Sequence, residues 1–284
     1  MILSKDNTPS SKRQTESKWA SEASVWSAKA KAASRVQLAH LYTLFKSHPT
    51  PAFDRLNKYL ASVSGMDKLL MIIQYFSKII IWYAMRACNR TLVEGARNVG
   101  NPVSDFRILM RFTGLIPLVH YMRSIENSPP STPRLHWLAR LECWANLVYY
   151  PLEHAYWLGA HRVVPRLSTP RMVSGLGVWS CRFWALYVIL HFITLRDQRR
   201  LLIASKRAIY EDKNESSPTA MQAKLERWHT QHKQWWIELI INAAYFPLTI
   251  HWSYPASTFP DVGVGVCGTI AAIAQIYGGW QATS

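Results

Sequence analysis

Acidic residues are scarce in this chain: 17 Asp and Glu face 33 Lys and Arg, a formal net charge of +16. That imbalance excludes a partner of like sign and points to an anionic one, either nucleic acid or an acidic phospholipid surface. Cysteine is sparse too. Cys88, Cys143, Cys181 and Cys267 stand far apart with no Cys-x-x-Cys pair, which argues against a zinc site and a disulfide framework and fits reduced thiols facing the cytosol. The first residues hold Lys5, Asp6, Lys12 and Arg13 among Ser and Thr without an apolar segment, so no cleaved secretory signal is expected. No strand-like alternation is sustained enough for a sheet, and no internal repeat is found. Catalytic signatures are missing: there is no Gly-x-Ser-x-Gly elbow and no P-loop, and Gly263-Val264-Gly265 lacks a strand–turn–helix setting. His154 and His161 could share a helix face with Glu153, and His229 and His232 lie beside Glu226, but neither set forms His-Glu-x-x-His. No catalytic residue, metal site or cofactor is therefore expected. Nucleic acid is not expected as the partner either, because no zinc-finger or RNA-recognition signature accompanies the charge.

What is present is apolar and aromatic. Apolar residues make up 49% of the chain, with 13 Trp and 13 Tyr, amphipathic rings that favour membrane–water interfaces and also serve aromatic cores. A mean hydropathy of −0.07 argues against a bundle of many spans, so placement matters more than the average. Residues 1–50 read as a polar tail, disordered or loosely helical, closed by the His48-Pro49-Thr50-Pro51 break. Residues 51–126 form an N-terminal helical region, with periodicity from Phe53 to about Asn98 and again from Ser104 to Ile125. The Pro-rich stretch within residues 127–134 is a linker. Residues 135–284 read as a membrane-embedded helical region interrupted by a basic loop at about 196–233, placed on the cytosolic side by the positive-inside rule.

The C-terminal block is the most membrane-like. From Val262 to Ser284 there is no Asp, Glu, Lys or Arg, and the run is long enough to cross roughly 30 Å of hydrocarbon as a helix. Gly268 with Ala272, and Ala274 with Gly278, repeat the small-xxx-small spacing that lets helices approach closely, which suggests an oligomerisation span. Small residues are also common in spans whatever they contact. Leu239 to Pro260 lacks formal charge but is interrupted by Pro247, Pro255 and Pro260; Val178 to Leu195 is shorter and holds Arg182 and His191.

The stretch from Gly65 to Arg86 is apolar, yet it carries Asp67, Lys68, Lys78 and Arg86. Wound at 3.6 residues per turn, Leu69, Ile73, Phe76, Ile80, Tyr83 and Ala84 fall along one face, widened by Leu70 and Ile72. Gln74 and the charged residues gather opposite, while Tyr75 and Trp82 flank the boundary. A span would place Lys78 near the bilayer centre at a cost of roughly 2.5 to 3.5 kcal/mol, and lying flat at the surface avoids it. The apolar face is then the membrane-inserting one, with Lys68, Lys78, Arg86 and Arg90 set against lipid headgroups. The same periodicity also permits a helix packed in a soluble bundle.

Phe53 to Lys78 (FDRLNKYLASVSGMDKLLMIIQYFSK), Leu147 to Gly159 (LVYYPLEHAYWLG) and the glycine-rich C-terminal span together resemble the peroxin-eleven family, most closely its divergent fungal members. The resemblance implies an all-α, membrane-associated helical protein with an N-terminal amphipathic-helix region and C-terminal transmembrane helices. It further implies integral residence in the peroxisomal membrane, which such a protein elongates before fission, promoting peroxisome proliferation. An anionic phospholipid membrane, further copies of the chain as a homo-oligomer, and fission factors including a dynamin-related GTPase are the implied partners. Proposals of small-metabolite passage by family members supply the alternative, a peroxisomal membrane channel or pore, for which Arg182, Glu153 and Glu238 are candidate lining residues.

Overall fold

The computed structural model describes residues 26, 27, 29, 31, 32, 34–39, 42, 43, 50–211 and 217–283. Most of the expected tail lies outside the described residues; those described between 26 and 43 are helical and exposed. From Pro51 onward the described chain is helical with no strand: α1 (Pro51–Leu60), α2 (Val63–Arg86), α3 (Arg90–Met110), a 3-10 turn at Arg111–Gly114, α4 (Leu115–Asn127), α5 (Pro133–Ala160), a second 3-10 turn at Pro165–Leu167, α6 (Pro170–Glu211), α7 (Pro218–Ser253) and α8 (Asp261–Ala282).

Short polar side chains fix the starts. Ser62 Oγ accepts from Gly65 N at 2.9 Å, Asn89 Oδ1 from Leu92 N at 3.0 Å and Thr132 Oγ1 from Leu135 N at 3.2 Å, each relieving a backbone donor that the first helical turn leaves unpaired. Pro133 and Pro218 occupy first-turn positions, where a missing N–H costs nothing. Three boundaries differ from the sequence expectation. The pattern from Phe53 breaks at Ala61–Ser62 and again after Arg86, where Cys88 adopts a left-handed φ of 51°. Conversely, α3 runs through Asn98–Ser104, where a break was expected, and holds Pro102 internally. Tertiary packing overrides propensity there: a Cβ on Gly100 would lie 2.2 Å from Ser77 Oγ, so α3 is pressed onto α2 next to the proline.

The basic stretch at 196–233 requires a correction as well. It is helical from Arg196 to Glu211 and again from Pro218 to Lys233, as continuations of α6 and α7. The reason lies in a ladder hidden among the charges. Trp228 Nε1 donates to Leu202 O at 2.8 Å, Trp235 Nε1 to Leu195 O at 2.8 Å, and Asn242 Nδ2 to Val188 O at 3.0 Å. Each step is seven residues on both helices, so α6 and α7 are an antiparallel pair in fixed register, with a heptad seam that outlasts the apolar blocks.

Six helices close into a ring of neighbours. α2 packs on α3 and on α8, α8 on α7, α7 on α6, α6 on α5, and α5 returns to α3, while α4 lies against α5. Met71, Tyr75, Ala244, Leu248, Val264, Ala271 and Ala272 form the main apolar cluster between α2, α7 and α8; Ile125, Ala139 and Cys143 form a smaller one beneath α4. Among the described residues, three helices are long and apolar enough to cross a membrane: α2, α6 and α8.

Candidate membrane-facing helix and central polar cavity

The arrangement of α2 is inside out relative to a water-soluble bundle. Leu69, Ile73, Phe76 and Tyr83 are exposed, Phe76 at 50%, and Leu70, Ile72 and Ile80 are half-buried; Ala84 alone of the expected inserting face is fully covered. The buried side holds Met71, Gln74, Tyr75 and Ser77. Gln74 and Ser77 thus point into the protein beside Met71 and Tyr75 of the apolar cluster, while large apolar groups stand outside, against the soluble-bundle reading and in line with the distribution a hydrocarbon solvent selects.

α2 does not stand free. Gln275 approaches Met71 Sδ at 3.8 Å, and Tyr75 and Ile79 cover Gly268 and Gly265, so α2 and α8 run antiparallel; Tyr59 of the preceding α1 continues the contact edge-on to Trp280 at 6.3 Å. A Cβ added to Gly268 would sit 2.2 Å from the Tyr75 ring. Gly268 and Ala272 therefore seat α2 within a single chain, as small residues do where backbones approach closely. Gly278 faces Ile237 of α7, a Cβ there falling at 3.4 Å, and Ala274 is half-buried. The outward stripe of α8 is instead Val266, Ile270, Ile273 and Tyr277. α2 lies alongside α8, which carries no formal charge after Asp261. Lys78 of α2 is not stranded, because Nζ reaches Asp261 Oδ1 at 3.4 Å.

Charges on the inner face are tied to α3 and α5. Arg107 Nε donates to Asp67 Oδ1 at 2.8 Å, and a further guanidinium nitrogen donates to Gln74, whose amide in turn donates to Ser104 Oγ at 2.7 Å. Lys68 Nζ reaches the other oxygen of Asp67 at 2.8 Å. One layer on, Arg111 holds Glu153 through two bonds of 2.7 and 2.6 Å, and Tyr149 donates to the same carboxylate at 2.7 Å. Such bidentate, hydrogen-bonded pairs are the form in which ions tolerate a low-dielectric interior. These groups line a cavity of about 650 Å³ bounded by α2, α3, α5, α6 and α7, whose lining also includes Trp184, Tyr187, Tyr245 and Trp252.

The remaining expected residues scatter. Arg86 lies over the Trp82 ring at 4.0 Å and Arg90 is exposed at the start of α3. Of the candidate pore residues, Glu153 lines the central cavity, whereas Glu238 lines a second cavity of about 440 Å³ with Glu142 and His191. Arg182 is exposed, stacking on Trp179 and donating to Ser253 O at 3.4 Å. His154 stacks on Phe112 at 4.1 Å and His161 on Trp157 at 4.0 Å. Among the described residues no group of three or more His, Cys, Asp or Glu side chains is placed to hold a metal ion.

Comparison with known proteins decides the family. The sequence profile of Peroxisomal biogenesis factor 11 (PEX11) matches residues 53–280. The chain belongs to that family. An uncharacterised protein of Schizosaccharomyces pombe is 24% identical over 221 residues, 78% of this chain and 90% of the relative. No solved structure matches. PEX11-family membership makes this a peroxisomal membrane protein involved in peroxisome proliferation, within a family of biogenesis factors rather than of enzymes. What sequence reasoning missed in this PEX11-family chain is the inner constellation of Arg107, Arg111, Tyr149 and Gln74. The available signal was the helical spacing of Arg107 and Arg111 with Asp67 and Glu153 on apolar segments, each needing a buried opposite charge.

Proposed function

We propose that the protein is an integral peroxisomal membrane protein that elongates the membrane and promotes peroxisome proliferation and fission, with the apolar face of α2 in contact with lipid. The observation that supports this reading is the outward stripe Leu69, Ile73, Phe76 and Tyr83 on a helix zipped to α8. Helix volume placed unequally in the two leaflets expands one of them and favours curvature. The basic α6–α7 end, reaching past the apolar core, is then the cytosolic side, where Arg199, Lys206 and Arg207 meet anionic lipid headgroups. Self-association would concentrate the effect and uses the exposed stripe of Val266, Ile270 and Ile273 on α8. A dynamin-related GTPase completes fission.

The test is reconstitution of the full chain into anionic vesicles, together with imaging of peroxisomes in cells that express it. Ile73→Glu with Phe76→Glu is expected to abolish tubule formation and elongation; unaltered tubulation by a folded, membrane-resident double variant would reject the lipid contact. A second reading, passage of small metabolites, is favoured by one observation, the polar cavity bounded by these helices. Single-channel recording in planar bilayers separates it: current without tubulation selects the pore, tubulation without current removes it.

A further inference from the structure

The charges lining the central cavity do not balance. Four basic side chains, Lys68, Lys78, Arg107 and Arg111, face two acids, Asp67 and Glu153. Arg111 and Glu153 satisfy each other, and Lys78 reaches Asp261, outside the lining. Asp67 is left to serve two cations at once, Lys68 at 2.8 Å and Arg107 at 2.8 Å. Arg107 is almost wholly buried, at 6% exposure; a second of its nitrogens reaches Asp67 Oδ2 at 3.4 Å, and the third donates to the neutral Gln74. One positive charge is thus uncompensated beside a cavity walled by low-dielectric helices, a condition that costs free energy until an anion enters. Ser104, Asn146, Tyr150 and Tyr156 add hydroxyl and amide donors to the same lining, the group types that complete the coordination of an oxyanion.

We propose that this cavity is a binding site for a phosphate- or carboxylate-bearing anion, seated against Lys68 and Arg107. The inference goes beyond the remodelling reading and requires no conduction; a protein that neither tubulates vesicles nor carries current would still bind. The anion can arrive free in solution or as the headgroup of a lipid, and its chemistry at the cationic end is the same. Trp184 and Trp252 line the same cavity and report on occupancy.

The full chain, in nanodiscs of phosphatidylcholine, is titrated with inorganic phosphate and separately with a short-chain phosphatidate, with the matched neutral diacylglycerol as control. Tryptophan fluorescence and thermal unfolding are followed together. Saturable binding of phosphate assigns a soluble anion; saturation by phosphatidate without phosphate assigns a lipid headgroup; either outcome supports the site. In both cases Lys68→Gln weakens binding about 10-fold or more, the loss of one charge-assisted hydrogen bond, Lys68→Arg retains it, and the exposed Arg97→Gln on α3 leaves it unchanged. No saturable binding of either anion by the wild-type chain overturns the proposal without reliance on any variant. Equal affinity of a folded Lys68→Gln protein overturns it too.

Discussion

The α2 helix and the basic end of the α6–α7 hairpin carry similar helical periodicity and turn it in opposite directions. In the hairpin, Trp228 and Trp235 are buried in the seam while Arg196, Arg199, Arg200 and Arg207 stand outside, as in a helix pair surrounded by water. In α2, Gln74 and Ser77 are buried and Phe76 and Tyr83 stand outside. Amphipathicity therefore fixes only that two faces differ. Which face is buried depends on what the neighbours offer, and α2's neighbours offer Arg107, Ser104 and the polar cavity. α6, 42 residues long, extends roughly 60 Å at 1.5 Å per residue, about twice a hydrocarbon core, so under the proposed placement one helix passes from lipid into water.

The sharpest way to break this contrast is to remove a charge from the inner face of α2. Asp67→Leu strips the buried Arg107 of its carboxylate, and loss of one partner of a buried pair costs about 3 to 5 kcal/mol. The expected result is a large fall in thermal unfolding temperature of the full chain in detergent micelles, although the substitution makes α2 more apolar. If Asp67→Leu unfolds at the wild-type temperature, the inner face is not a packed polar face and the inside-out assignment fails. In the hairpin the ordering reverses, because an aromatic ring and not a charge occupies the seam. Trp235→Ala is expected to cost about 3 to 5 kcal/mol by cavity formation, whereas Trp235→Phe keeps most of the ring and loses the bond to Leu195 O, about 1 kcal/mol. Equal losses for the two variants would show that the hydrogen bond, and not the packed ring, holds the register.

Much of the fold is legible in the sequence. The Pro-rich linker, the charge-free C-terminal helix and the amphipathic α2 all follow from composition and period, because Pro at 129, 130 and 133 and the absence of charge after Asp261 act locally. Three features are not legible in that way. The α6–α7 extension looks like a loop because its seam residues, Leu195, Leu202, Trp228 and Trp235, are seven apart and diluted by Arg and Lys. Pro102 signals a break that packing of Gly100 on Ser77 overrides. The site is legible only by half: helical period groups Leu69, Ile73, Phe76 and Tyr83, which stand exposed together. The Tyr75–Gly268 contact and the Asp67–Arg107 pair join residues distant in sequence, and no local period encodes such a pairing.

The smallest expected effect lies at the outer face of the hairpin and sharpens the comparison from the other side. Arg207 is exposed near the end of α6 and lines the shallow groove beside Lys206 and Trp228. Surrounded by water, its removal leaves stability within about 0.5 kcal/mol, the range of ordinary surface substitutions. Its charge still acts at a distance on an anionic bilayer, where each Lys or Arg contributes about 1 kcal/mol, or roughly fivefold in partitioning. Arg207→Gln is therefore expected to unfold at the wild-type temperature yet weaken docking of this end of the protein onto vesicles rich in phosphatidylserine, an effect that fades as salt is raised because an exposed charge is screened within about 10 Å at 0.1 M ionic strength. Vesicle co-flotation of proteoliposome-reconstituted protein measures it. A stability loss of several kcal/mol would mean that Arg207 is as structural as Arg107, and the division into a lipid-facing ring and a water-facing hairpin would no longer stand.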